Sequence, residues 1–501
     1  MPSDATVVRA LIAQGNGPAL GQPGRPDLSY IDLAGTIDAA GSALAGLGIR
    51  PGAPVAIVLP NGPEMAAVFL AVASHATAAP LNPAYTEDEF AFYMEDLGAK
   101  LLIVLQGNDT PARAAAARLG VPVVEAVPGA AAGSFTLAGA PEAEARLNGE
   151  DDVALVLHTS GTTSRPKIVP LTSRNIVTSA RSIAATLHLT TDDRCLNVMP
   201  LFHIHGLIAA VLSSVTAGGS ISCAPGFDAL KFFGWLEEVN PTWYTAVPTM
   251  HQAILLRAKR NTDTIAKSRL RFIRSSSASL PVPVLRELES TFGCPVIEAY
   301  GMTEAAHQMA SNQLPPGSRK PGSVGVAAGP EVAIMGEDGA LLPHSQVGEI
   351  VIRGDNVTPG YQNNPKANAE NWTNGWFRTG DQGEMDADGF LTIRGRLKEI
   401  INRGGEKVSP REVDDVLMEH PAVAQVVTFA MPHRMLGEDV AAAVVLAEGA
   451  TATERDIRDF AAKSLAAFKV PGKVLIVDEI PKGATGKLQR IGLAEKLGLA
   501  P

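Results

Sequence analysis

Between residues 53 and 304 short apolar runs alternate with longer amphipathic stretches, and this alternation constrains the fold more than any other feature of the chain. Runs at 54–59, 101–105, 123–127, 153–158, 194–199, 243–247, 271–275 and 296–300 have strand length and, apart from the mixed run 271–275, are mostly apolar. A strand that is apolar on both faces must be covered on both, as in a parallel sheet with helices on either side. The stretches 173–187, 228–239 and 282–292 carry helical periodicity and supply such cover. The expected class is therefore α/β, with parallel-rich sheets and helices in a large N-terminal unit.

After Gly322 the texture changes: Gly and Asp become frequent, helical periodicity disappears, and short β segments at 348–353 and 389–394 dominate. This predicts a β-rich subdomain over about 322–395. A charged connection, Gly395-Arg396-Leu397-Lys398-Glu399, then leads to a new α+β pattern: helix 410–418, strands 424–430 and 440–446, helix 454–465 and strand 473–477. The expected organisation is an N-terminal domain over 1–395 and a small C-terminal domain over 399–501, with the boundary near Lys398. A chain of 501 residues is too long for a single core, which agrees with this division.

Composition excludes several classes. With 46% apolar and 19% charged residues, and 48 Gly and 36 Pro, the chain reads as a loop-rich soluble enzyme and neither a disordered nor a fibrous protein. A formal net charge of −10 leaves no electrostatic footprint for nucleic acid and none for an anionic membrane surface. The three cysteines, Cys195, Cys223 and Cys294, form no CxxC pair, so neither a disulfide framework nor structural zinc is expected and the cytoplasm is the expected compartment. The apolar run 65–78 falls short of the ~20 residues that a membrane span needs. No basic-then-apolar segment opens the chain, and it does not finish in Ser-Lys-Leu. A monomer or homodimer acting on small molecules is expected.

The strongest local signal is Thr159-Ser160-Gly161-Thr162-Thr163-Ser164-Arg165-Pro166-Lys167, between the strand 153–158 and the apolar Ile168-Val169-Pro170. Small hydroxyl residues and glycine between two strands let N–H and O–H groups converge on phosphate oxygens. No GxxxxGK[ST] occurs in this run, so it is not a P-loop of the common NTPase type.

This run resembles the phosphate loop of the adenylate-forming superfamily, which includes acyl-CoA synthetases, coumarate–CoA ligases, luciferases and peptide-synthetase adenylation domains. Four further segments resemble that family's motifs in order: Tyr300-Gly301-Met302-Thr303-Glu304; Gly375 to Asp381; Gly395 to Lys398 with Gly404 to Pro410; and Pro481 to Lys487. The resemblance implies ATP and coenzyme A as co-substrates, with Mg2+ held by Glu304. It implies that Thr159, Ser160, Gly161, Thr162, Thr163, Ser277, Ala278, Ser279, Glu298, Ala299, Tyr300, Thr303, Asp381 and Arg396 bind ATP or AMP. Asp381, an acceptor-only carboxylate, would take both ribose hydroxyls. Lys167, Thr303, Glu304 and Lys487 would act in catalysis, Lys487 bridging the attacking carboxylate and the α-phosphate. Lys398 would be the pivot on which the C-terminal domain turns between half-reactions, and Gly404 and Gly405 would let pantetheine pass.

Specificity for the acid is expected from His203, His205, Ser277 and His307. Pro200 to Leu207 matches the family's acyl-pocket segment, with His203 at the gate between acid and thiol tunnel. A His-x-His pair also fits zinc, but no third ligand with metal-site spacing lies nearby. His205, Ser277 and His307 make the pocket small and polar, unsuited to a fatty chain or a cinnamyl ring. Together with Arg274 to Leu280, Thr303 to Met309 and Leu314 to Gly325, these segments resemble the oxalate–CoA ligases. Oxalate is the expected acid. A ligase for malonate or an aromatic acid, a carrier-protein loading enzyme and a luciferase-like oxygenase are the alternatives.

Overall fold

The computed structural model describes residues 8–12, 15–159, 166–482 and 488–499. Its first sheet has seven strands in the order Phe135–Leu137, Val123–Pro128, Leu101–Leu105, Pro54–Val58, Thr77–Pro80, Val153–Thr159 and Lys167–Thr172. The middle five are parallel, and an antiparallel partner closes each edge.

A second sheet of nine strands runs Val326–Ala327, His307–Ser311, Val296–Met302, Phe272–Ser275, Trp243–Ala246, Arg194–Asn197, Ser220–Cys223, Pro18–Gln22 and Arg25–Ser29. Its interior is parallel, whereas His307–Ser311 turns back antiparallel on Val296–Met302. The helix Pro63–His75 is buried along nearly its whole length and joins the two sheets in one core. Such burial on all sides explains why its sequence lacks a polar stripe.

All eight apolar runs form strands, within two residues at either end. The helix expected over 228–239 begins at Phe232, because the Asp228 carboxylate accepts from the backbone N–H of Leu230 and Lys231 and forms a separate turn.

A five-stranded antiparallel sheet follows: Glu331–Met335, Gly348–Arg353, Trp376–Met385, Trp372–Thr373 and Leu391–Arg396. One correction applies to this stretch, which also holds the helix Pro365–Asn371. Its polar sequence has no apolar period; Pro365 at the first turn and the Asn364 cap on Ala367 start it instead. Beyond a 3-10 turn at Leu397–Glu399, strands Ile401–Arg403, Glu406–Val408, Val423–His433, Gly437–Leu446 and Lys473–Ile476 form the last sheet. Helices Pro410–Leu417 and Glu454–Ala461 share its core. Among the described residues no helix is long and apolar enough to cross a membrane.

Candidate active site

The first motif straddles a hairpin. Thr159 ends one strand and pairs in register with Lys167, which begins the next. Ser160, Gly161, Thr162 and Thr163, and Lys487 of the last motif, lie outside the described residues. Lys167 stands at the mouth of the hairpin with its Nζ 4.3 Å from the centre of the Tyr361 ring. The Tyr361 hydroxyl donates to Glu304 Oε1 at 2.7 Å. Burial pushes the Glu304 carboxyl up; the Tyr361 hydrogen bond and the fields of Arg396 and Lys167 act against that. Burial lowers the Lys167 ammonium, which Glu304 counters and Lys398 reinforces.

A second group adjoins the first. Tyr300 donates its hydroxyl to Asp381 Oδ2, and Arg396 Nε lies 3.1 Å from Asp381 Oδ1. Asp381 is buried on Trp376–Met385, while half-exposed Arg396 is its register partner on Leu391–Arg396. Burial raises the Asp381 carboxyl and Arg396 holds it down. Thr303 opens the 3-10 turn that carries Glu304. Glu298 and Ala299 lie on the same strand as Tyr300. Glu298 is buried, its carboxyl pushed up to about 7 by desolvation, with Arg411 of the last domain opposing the shift.

The third group is the expected acid site. His205 is fully buried at the start of a π-helix, His205–Leu212. Its Nδ1 lies 3.0 Å from Ser277 Oγ and its Nε2 lies 2.6 Å from Thr245 Oγ1. The His205 and His307 ring centres are 5.0 Å apart. Half-exposed His203, two residues earlier, accepts at Nδ1 from the His205 backbone N–H, 3.3 Å distant. Ser277 and His307 hold left-handed backbones, φ 73° and 98°, which side chains other than glycine rarely adopt. Ala278 and Ser279 follow Ser277 in the loop after Phe272–Ser275. The tight return before His307 depends on Gly301, whose Cβ would lie 1.8 Å from the His307 carbonyl oxygen.

Beneath His205 lies Arg274, fully buried. Its Nη1 is 3.5 Å from His205 Nε2 and its Nη2 donates to Gln308 Oε1 at 3.3 Å. Burial lowers the guanidinium to about 9, so it stays charged at neutral pH. Among the described residues no carboxylate pairs with it.

Lys398 is exposed in the turn Leu397–Glu399, between the antiparallel subdomain and the last sheet. Gly404 and Gly405, φ 61° and 101°, form the two-residue connection between Ile401–Arg403 and Glu406–Val408.

Tyr361, Thr245 and Arg274 are absent from the residues picked out by motif. Arg274 follows Phe272 and Ile273 in a run of strand length, and an arginine in a strand expected to be buried was the available signal. Tyr361 and Thr245 meet the site only through the fold.

The buried carboxylate of Glu304, near Lys167 and Arg396 but with no ion pair to either among the described residues, fits a hard divalent ion that keeps most of its ligands from phosphates and water. The three groups together can hold a nucleotide beside a small polar acid.

Residues 9–362 match the AMP-binding enzyme family and residues 412–487 the AMP-binding enzyme C-terminal domain. The chain is 49% identical to an oxalate–CoA ligase of Arabidopsis thaliana, covering 94% of each chain. It is 44% identical to an oxalate–CoA ligase of Saccharomyces cerevisiae, covering 88% of this chain and 86% of that one. Its fold superposes on the ATP-bound crystal structure of MatB from Rhodopseudomonas palustris with a TM-score of 0.89, at 30% identity and 98% coverage of both. Motifs, fold and relatives thus place the chain in the AMP-binding enzyme family, among its AMP-forming acid–CoA ligases.

Proposed function

We propose that the acid is oxalate and that the reaction is oxalate + ATP + CoA giving oxalyl-CoA, AMP and pyrophosphate. The observation that carries this reading is the acid site: His205, Ser277 and His307 stand over a buried arginine that pairs with no carboxylate among the described residues. A second carboxylate adjacent to the reacting one needs a short cavity with hydrogen bonds and positive charge, since leaving it unpaired is too unfavourable. The names of the Arabidopsis and yeast relatives support the same acid.

In the first half-reaction an oxalate oxygen attacks the α-phosphorus and pyrophosphate leaves. Two anions must meet, so the work is positioning and charge neutralisation. Lys167 and Lys487 neutralise phosphate and carboxylate oxygens, Thr303 donates to the α-phosphate, and Asp381, backed by Arg396, accepts from the ribose hydroxyls. Glu304 would hold Mg2+, which supplies charge neutralisation at the phosphates. The C-terminal domain then turns about Lys398, and the CoA sulfur, past Gly404 and Gly405, attacks the oxalyl carbonyl and expels AMP. The chain is thus read as an N-terminal domain to residue 395, a hinge at 396–398 and a mobile domain beyond.

CoA-dependent AMP formation across a panel of acids tests the reading. Oxalate is expected to exceed acetate, malonate, octanoate and coumarate in kcat/KM. A preference for coumarate or a fatty acid overturns it.

A further inference from the structure

The buried cation and the histidine above it determine where protons sit. Arg274 has only N–H donors and no acceptor. It faces His205 Nε2, which also lies 2.6 Å from the Thr245 hydroxyl. A lone pair on Nε2 can accept from the Thr245 hydroxyl and face the guanidinium as well, whereas an N–H there would meet the guanidinium donor, so the imidazole proton is better placed on Nδ1. There it donates to Ser277 Oγ at 3.0 Å. A hydroxyl that accepts from the ring is left with its own proton to donate. Ser277 is the half-exposed member of this chain, whereas Arg274, Thr245 and His205 are fully buried. Its O–H is therefore the one that a small acid can reach.

We propose that Arg274 is a positioning residue that holds His205 in the Nδ1–H tautomer and thereby makes Ser277 a hydrogen-bond donor to the distal carboxylate of the acid. The orientation has a further cause: Gln308 Oε1 accepts from Arg274 Nη2, and Gln308 Nε2 in turn donates to Thr186 Oγ1 at 3.2 Å and to the Ala328 carbonyl at 2.8 Å. The amide of Gln308 is thereby held with its oxygen toward Arg274, and the guanidinium is held toward His205. With the opposite tautomer, two donors would meet at Nε2, and Ser277 would spend its proton on the ring. The pocket would then present lone pairs to an anion.

The part of this proposal that concerns the acid rests on the oxalate reading; the tautomer does not, and the experiment separates them. In ¹H–¹⁵N correlation spectra of the full chain with ¹⁵N-histidine, the His205 signals are those lost in His205→Asn. Nδ1 is expected to be protonated and Nε2 bare, with no acid present; a protonated Nε2 in the wild type overturns the proposal. In Arg274→Met the ring is expected to lose its Nδ1–H preference, and Arg274→Lys, which keeps the charge, is expected to retain it. A folded Arg274→Met that keeps the wild-type pattern also overturns the proposal. Should that variant not fold, the wild-type spectrum decides alone. In steady state, Arg274→Met is expected to raise the KM for oxalate about 100-fold, because a site left with an unmatched polar group discriminates strongly. The KM for ATP should move less than about threefold, and Arg274→Lys should recover most of the oxalate loss. Equal rises in both KM values would show a merely structural role.

Discussion

Glu298 shows how much one buried carboxyl can shape stability. It is 3% exposed, its Oε2 has no hydrogen-bond partner among the described residues, and desolvation raises it from 4.5 to about 7. A carboxyl raised on folding contributes stability below its unfolded value and loses it as pH rises through the folded one. Between about pH 4.5 and pH 7 the fold should therefore lose at most about 3 kcal/mol through this group. Glu298→Gln is expected to flatten that fall, raising Tm at pH 8 and leaving it nearly unchanged at pH 4.5; thermal melts across that range check it. At this scale the sequence was partly legible. His205, Ser277 and His307 could be named because they depart from expected residue types in recognisable segments. Tyr361 and Thr245 could not, since each lies in an unremarkable stretch and reaches the site from a distant part of the chain.

At the scale of elements, the parallel strands were readable because burial on both faces makes them apolar throughout. The strand Thr77–Pro80 was not, since it follows the equally apolar helix Pro63–His75 after a single residue, and nothing in side-chain character changes there. The antiparallel return of His307–Ser311 carries one acid-site residue back beside Met302. Gly301 makes that return possible. Gly301→Ala is expected to push the two strands apart, destabilise the fold by about 2–4 kcal/mol as other overpacked or strained sites do, and raise the KM for oxalate. Chemical denaturation and steady-state kinetics together check it; unchanged stability would mean that the strand gives way freely.

For the whole molecule the relevant connection is the exposed turn Leu397–Glu399. Among the described residues the contacts across it include the Ser409 hydroxyl donating to the Arg394 carbonyl, Gln252 Nε2 donating to the Ala424 carbonyl at 3.1 Å, Met418 packing against the neighbouring core, and the charge of Arg411 acting on Glu298. The rotation proposed above would break these contacts and form others in their place. Fixing φ at the pivot with Lys398→Pro is expected to leave pyrophosphate exchange within about threefold of wild type and to lower acyl-CoA formation at least about 100-fold. Lys487→Ala should divide the half-reactions the other way, abolishing exchange while sparing thioester formation from a supplied acyl-adenylate. Single-turnover assays of each half-reaction distinguish these outcomes, and parallel losses in both variants would refute the division of labour.

The π-helix that begins at His205 has a consequence for insertions and deletions. Its far end runs into Ser213–Thr216, where the Ser213, Ser214 and Thr216 hydroxyls bond carbonyls of the preceding turn at 2.7–2.8 Å. With that end held, removing Ala209 would rewind the segment toward an α-helix and swing its beginning by about 100°. His205 would leave Ser277 and Thr245 although no pocket residue had been replaced. The shortened protein should still bind ATP in a calorimetric titration, yet no longer turn over oxalate. In the proposed acid site, specificity would thus depend on the number of residues between Pro200 and Ser213 as well as on their identity.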